Sequence, residues 1–359
     1  MSKATDRPLT LMQKVERTTV KAIPQAGLRW LGRKATINAD GDRLAPEIAG
    51  ILRILSLLPG GDYSDKPVDE ARLMLTEDGQ VFAESFEPFA IEEDLEISGV
   101  GGLIPATRYR AKAGTPRGLI VYFHGGGFVL GNRISIETAV RFLALHTGAD
   151  VLSVDYRLAP EHPFPAAIED ALSAWHFAVE ESPGWGVDPR RIVVAGDSAG
   201  GNLSATISQL LRGQTYEPCL QVLFYPAVDM SRERPSHDEF ADGYFMTRKQ
   251  YRWFLGHYLQ HASDALDPRA SPLLTDDVSG VAPAYVAVAG FDQLRDEGIE
   301  YATRLREAGV PVTLYRASAL VHGYVNATAF SPTARAATLH AADAIVTALS
   351  APLTAAKNA

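Results

Sequence analysis

The chain has a single cysteine, Cys219, among 359 residues, so no intramolecular disulfide can form and a reducing compartment is expected. Basic charge is scarce as well. With a formal net charge of −9 and no Lys/Arg cluster, the chain lacks the positive surface that displaces phosphate counterions, which argues against a nucleic-acid partner. No stretch approaches the ~18 to 20 consecutive apolar residues of a membrane span. The first twenty residues are polar and lack the apolar h-region of a signal peptide. Together these absences predict a cytoplasmic protein. Internal repeats and low-complexity tracts are also missing. What remains is an ordinary globular composition, 46% hydrophobic and 21% charged, able to bury a large core. The setting of Cys219, at the start of the apolar run Leu220-Gln221-Val222, predicts a packed and unreactive thiol.

At this length, one α/β domain with an accessory lid fits as well as two domains. The order of patterns narrows the choice. From about residue 118 onward, short β-branched runs alternate with helical periodicity, the mark of βαβ units and a mostly parallel sheet. Strands are expected at Leu119 to Phe123, Val151 to Val154, Ile192 to Ala195, Leu220 to Tyr225, Tyr285 to Ala289 and Val312 to Tyr315. Crossover helices are expected at Ala166 to Glu181, Ala199 to Arg212, Glu297 to Ala308 and Thr333 to Leu349. The pattern predicts a doubly wound α/β sheet of six strands.

Two regions break this rhythm. Residues 1–80 read as helical, and the stripe Ile51, Ile54, Leu55, Leu58 predicts an amphipathic helix that covers something apolar, a lid being one candidate. Residues 230–282 form a long insertion with one helix, for which Thr247 and Gln250 supply a capping box before Tyr251, Trp253, Phe254 and Tyr258. Long insertions at the carboxyl edge of such a sheet are usually functional.

Gly196-Asp197-Ser198-Ala199-Gly200 matches G-x-S-x-G between a predicted strand and a predicted helix. A serine on that sharp turn projects its hydroxyl at a helix N-terminus, where backbone N–H groups favour developing negative charge. Ser198 is therefore the candidate nucleophile; a glycine-rich turn without chemistry is the alternative. His124-Gly125-Gly126-Gly127 follows the first buried strand, and three bare residues in a row let backbone N–H groups approach a ligand oxygen. Gly126, Gly127 and Ala199 are the expected oxyanion donors, and Gly125 supplies the turn. A phosphate-binding loop is the competing reading, but neither G-x-G-x-x-G nor a G-K-[ST] ending is present.

A serine on such an elbow needs a downstream base. His322, just past the last predicted strand, lies on a loop at the carboxyl edge of the sheet, whereas His340 falls inside an alanine-rich helical pattern expected to be solvated. Asp292, after the Tyr285 to Ala289 strand, is the candidate partner of the histidine; Asp296 and Glu297 are rivals, in a first helical turn that itself favours acids. Because the histidine must be neutral to act as base, activity should fall at acid pH. His257 and His261 are four apart on a predicted helix, but Tyr258 stands where a zinc peptidase has glutamate, so no metal is expected. Asp155 is expected to brace the glycine loop.

These blocks, with Asp155-Tyr156-Arg157-Leu158-Ala159-Pro160-Glu161-His162-Pro163 and Asp292-Gln293-Leu294-Arg295-Asp296-Glu297-Gly298, clearly resemble the bacterial hormone-sensitive lipase family of esterases, of the α/β-hydrolase fold. The resemblance covers about residues 85 to 350. It implies that Ser198, Asp292 and His322 form a triad, and that the protein cleaves small carboxylic esters of short to medium acyl chain without metal or organic cofactor. It also implies an N-terminal helical cap over residues 1–80, a catalytic domain over 81–359 to which residues 230–282 add cap elements, and a possible homodimer. Gln293 stands where the family often has proline. Relatives that serve as hormone receptors look to have lost the histidine, which this chain keeps.

Overall fold

The computed structural model describes residues 24–57 and 62–352. Leu58, the last member of the predicted apolar stripe, lies outside them. Eight strands form one sheet in the order β1-β2-β4-β3-β5-β6-β7-β8. They are β1 Ile91–Gly99, β2 Gly102–Arg110, β3 Leu119–Phe123, β4 Asp150–Val154, β5 Ile192–Asp197, β6 Leu220–Phe224, β7 Ala284–Phe291 and β8 Val312–Val321. From β4 through β8 every neighbouring pair is parallel, while β1 pairs with β2, and β2 with β4, antiparallel. All carboxyl ends of β3 to β8 therefore meet at one edge.

The six predicted strands are present, and two more precede them. The expectation of six strands is corrected to eight because β1 and β2 do not carry a buried-strand pattern. In β1, Glu92, Glu93, Asp94 and Glu96 crowd the outer edge of the sheet, and β2 contains Pro105, which counts against a strand in sequence. Pairing decides the matter: β2 contacts β4 through four residue pairs, from Ala106 opposite Val154 to Tyr109 opposite Val151. There Arg108 and Arg110 both reach the fully buried carboxylate of Asp150, at 2.9 and 2.7 Å.

Side chains on the central strands alternate between two cores, as the two-residue period of a strand requires. Ile120 and Tyr122 of β3 and Val193 and Ala195 of β5 join Val140, Leu143, Ala341 and Ile345 on one face. Those partners come from helices Glu137–Thr147 and Pro332–Ser350. Leu119, Val121 and Phe123 with Ile192 and Val194 join Trp175, Leu203 and Ile207 on the other, from helices Ala166–Glu181 and Ala199–Leu210. Helix Glu137–Thr147 is not among the predicted helices, and seven of its eleven residues are buried.

Ahead of the sheet, helices Gln25–Leu31, Pro46–Leu55 and Val68–Phe82 cap the molecule. Ile51 is buried as the stripe predicts. Glu47 accepts hydrogen bonds from the hydroxyls of Ser331 (3.1 Å) and Thr333 (2.6 Å), and Arg72 donates to the carbonyls of Val129 and Ala159 and to Glu161. The insertion helix Arg248–Tyr258 carries the expected capping box, with Gln250 N–H bonded to the Thr247 hydroxyl and Thr247 N–H to the Gln250 amide oxygen. It meets the cap where Lys249 pairs with Asp65.

Candidate active site

At the carboxyl edge, β5 ends on Asp197 and the chain turns at Ser198 with φ 55° and ψ −115°. A positive φ on a non-glycine residue is a strained arrangement that the surroundings must enforce. Here they do. A Cβ at Gly200 would lie 1.9 Å from the Phe123 carbonyl oxygen, and one at Gly196 would lie 2.3 Å from Gly200. Ser198 N–H donates to the Phe224 carbonyl at 2.9 Å, and Asn202 ties the turn to the Ala227 carbonyl just past β6 and to the Ala270 carbonyl of the insertion, both at 2.7 Å. Both glycines of G-x-S-x-G are thus required by close contact between the end of β3 and the start of the helix.

The glycine loop leaves β3 beside this turn. Gly126 and Gly127 have φ of 117° and 60°, and a Cβ on Gly127 would enter the ring of Phe254 from the insertion helix. Gly125 N–H is occupied: it donates to Asp197 Oδ1 at 3.0 Å. Tyr156 hydroxyl donates to the His124 carbonyl at 2.7 Å and His124 Nδ1–H to the Gly125 carbonyl at 2.7 Å, so the loop is held on both sides. Burial holds the fully enclosed His124 imidazole below its ordinary pKa. Asp155 accepts from the backbone and side chain of Arg133, just past the loop, at 2.7 and 2.8 Å. Phe128 stacks on Tyr258 with ring centroids 3.9 Å apart.

Asp292 follows β7 and His322 follows β8. The imidazole Nδ1 lies 2.8 Å from Asp292 Oδ2, and Asp292 Oδ1 accepts from Leu294 N–H at 3.0 Å. A carboxylate can only accept, so the ring proton sits on Nδ1 and Nε2 carries the free lone pair. The rival acids are engaged elsewhere. Asp296 accepts from Ser236 N–H and from Arg295, and Glu297 from the N–H groups of Val228 and Asp229. Burial pushes the Glu297 carboxyl up to about 8.

His340 is exposed, with Nδ1 2.9 Å from the Tyr285 hydroxyl. His261 corrects an expectation: the helix ends at Tyr258, so His257 and His261 do not share a helical face. Among the described residues no group of three His, Cys, Asp or Glu side chains could hold a metal ion. Cys219 is half-buried just before β6, and burial pushes its thiol up to about 12, which keeps it unreactive.

Two neighbours gave no signal in sequence. Tyr225, directly after β6 with φ 36°, places its ring 4.7 Å from that of His322. Tyr122, in the middle of an apolar strand, donates its hydroxyl to Asp197 Oδ1 at 3.0 Å.

A family model described as the alpha/beta hydrolase fold matches residues 120–326. The carboxylic ester hydrolase LipN of Mycobacterium tuberculosis is 47% identical over 240 residues, 65% of this chain and 64% of that protein. The ethyl acetate hydrolase of Pseudomonas putida is 37% identical over 263 residues, 72% of this chain and 83% of that one. A solved hyperthermophilic esterase from the archaeon Pyrobaculum calidifontis superimposes with a TM-score of 0.79 at 38% identity, covering 85% of this chain and 98% of its own. The chain belongs to this family of α/β-hydrolases, in the hormone-sensitive lipase branch that its motifs resemble. Among the described residues no helix is long and apolar enough to cross a membrane.

Proposed function

We propose that the chain, a carboxylic ester hydrolase of this family, works by acyl transfer through Ser198, His322 and Asp292. The observation that carries this reading is the 2.8 Å bond between His322 and Asp292, formed at the same sheet edge as the strained Ser198. His322 Nε2 takes the hydroxyl proton as Ser198 Oγ attacks the ester carbonyl carbon. The alcohol leaves with that proton, and water then hydrolyses the acyl-enzyme by the same base. The N–H groups of Gly126, Gly127 and Ala199 receive the oxyanion, with Gly125 giving up its own N–H to Asp197 and supplying the turn.

The substrates are small esters of short to medium acyl chain. Phe254 and Trp253 of the insertion helix and the N-terminal cap enclose the acyl side, with residues 1–80 acting as the cap and 81–359 as the catalytic domain. The family resemblance adds a homodimer, which sedimentation of the purified protein tests, and the single cysteine supports a cytoplasmic setting. The deciding experiment is hydrolysis of p-nitrophenyl esters of graded chain length by the wild type and by Ser198→Ala. The variant is expected to lose nearly all turnover, on the order of 10⁴-fold or more, with its thermal unfolding unchanged. Retained turnover would sink the assignment.

A further inference from the structure

The mechanism above leaves one carboxylate unused, although it lies directly before the nucleophile. Asp197 is only 5% exposed, and its Oδ1 accepts two hydrogen bonds at 3.0 Å, from Tyr122 hydroxyl and Gly125 N–H. Its other oxygen lies 2.5 Å from where a Gly125 Cβ would stand, so the carboxylate and the loop are in direct contact. The remaining ties of the loop are of another kind. Tyr156 reaches His124 from the segment after β4, and the Gly126 carbonyl accepts from Val129 and Leu130 within the loop itself. Asp197 fastens the loop, through a hydrogen bond, to the turn that carries Ser198.

The groups that act electrostatically on this carboxylate come from four directions. Tyr122 faces it from β3, Tyr156 from the segment after β4, Tyr225 from the end of β6, and His322 from the end of β8. The three tyrosines are neutral, since burial raises each phenol. His322 alone among these four gains positive charge during the reaction.

We propose that Asp197, as an anion, is a positioning residue for the ester hydrolysis: it fixes the oxyanion loop against the nucleophile turn. The proposal rests on the triad reading. Hydrogen bonds to an ionised acceptor are roughly twice as strong as neutral ones, so charge and geometry act together. Oxyanion donors stabilise charge only if they are in place before it develops, and displacing them by about 1 Å costs on the order of 10²-fold. Burial pushes the Asp197 carboxyl up to about 6, so the anion is lost as pH falls through that value.

The test measures kcat and KM for p-nitrophenyl acetate from pH 5 to 9 in the wild type, Asp197→Asn, Asp197→Ala and Tyr122→Phe. Asp197→Ala should lower kcat by about 10- to 100-fold with KM within about threefold. Asp197→Asn keeps the size and the acceptor but not the charge, so it should recover part of that loss and remain below wild type. In the wild type the acid limb of kcat/KM should reflect two protonations and in Asp197→Asn only one. Tyr122→Phe removes a donor to the anion and should move the limb to higher pH. Wild-type kcat in Asp197→Asn with the steep limb intact would overturn the proposal. So would equal losses in Asn and Ala that merely follow lost thermal stability. If Ser198→Ala is inactive while the Asp197 variants match wild type, this inference alone fails; if Ser198→Ala stays active, the triad reading fails with it.

Discussion

The carboxyl edge of the sheet and the cap above it are built by opposite means. At the edge, the decisive contacts are backbone against backbone, Gly200 against Phe123 and Ser198 against Phe224, together with one short side-chain bond between a buried carboxylate and an imidazole. Around helix Val68–Phe82 and the insertion helix they are long polar side chains at partly exposed positions, such as Arg72 with Glu161 and Lys249 with Asp65, while Glu47 is the buried exception in helix Pro46–Leu55. Close backbone contact leaves few alternatives and a fixed geometry, whereas exposed ion pairs are screened by water and salt and hold their partners loosely. The difference teaches that chemistry here is fixed by the fold, and access to it by a surface that can move or vary at little cost.

Substitutions at the edge should therefore be severe and those in the cap mild. Asp292→Ala should lower kcat by about 10³- to 10⁴-fold, because the imidazole loses its tautomer and its orientation, while thermal unfolding stays near wild type. Esterase assays paired with calorimetry check both halves. Away from the reaction but equally buried, Asp150→Ala should cost about 3 kcal/mol, since Arg108 would keep only its longer 3.6 Å pair with Glu93 and Arg110 only the carbonyls of Gly114 and Trp185. Urea unfolding reads that cost, and activity per folded molecule should be preserved. Gly200→Ala should destabilise by about 3 kcal/mol or yield little folded protein, because the new methyl meets the Phe123 carbonyl oxygen. A fully active, equally stable Gly200→Ala would break the contrast at its root.

In the cap, Arg72→Ala should cost less than about 1 kcal/mol, and its main effect should be a KM raised severalfold as the cap loosens from Val129 and Ala159. Its pH dependence has a defined sign. The hydrogen bond from Arg72 lowers the Glu161 carboxyl from 4.5 to about 2, so the pair contributes above about pH 4.5 and is lost as pH falls through 2. The stability gap between wild type and Arg72→Ala should narrow over that interval, from a starting value that exposure keeps small. Lys249→Ala should shift stability by no more than a few tenths of a kcal/mol.

The same contrast separates what was legible in sequence from what was not. The parallel strands β3 to β7 could be read because both faces of such strands are covered, leaving short apolar runs between glycine and aspartate, whereas β8, at the sheet edge and largely half-buried, was read only from its run Val312 to Tyr315. Strands β1 and β2 could not, since an edge strand crowded with acids and a strand containing Pro105 are defined by their pairing partners alone. The insertion helix was readable from Thr247 and Gln250, whose capping bonds are local. Among the acids Asp292, Asp296 and Glu297, sequence position favoured the first, but only the folded arrangement shows which one reaches the histidine and what occupies the others. Tyr122 and Tyr225 carried no signal because an aromatic residue in or after a buried strand looks the same whether or not its hydroxyl or ring meets a functional group.

By itself, then, the sequence determined the parallel α/β layering, the turn that carries Ser198, the bare loop that faces it and the loops bearing Asp292 and His322. Each is written in local spacing, in the alternation of apolar runs and in glycines that no other residue could replace. The tertiary structure alone decided which carboxylate bonds to the imidazole, that Asp197 binds Gly125, and where the cap fastens. Those contacts join residues from 30 to nearly 300 positions apart, where nothing in the chain's local pattern constrains distance, and only the common edge of the sheet brings them within reach.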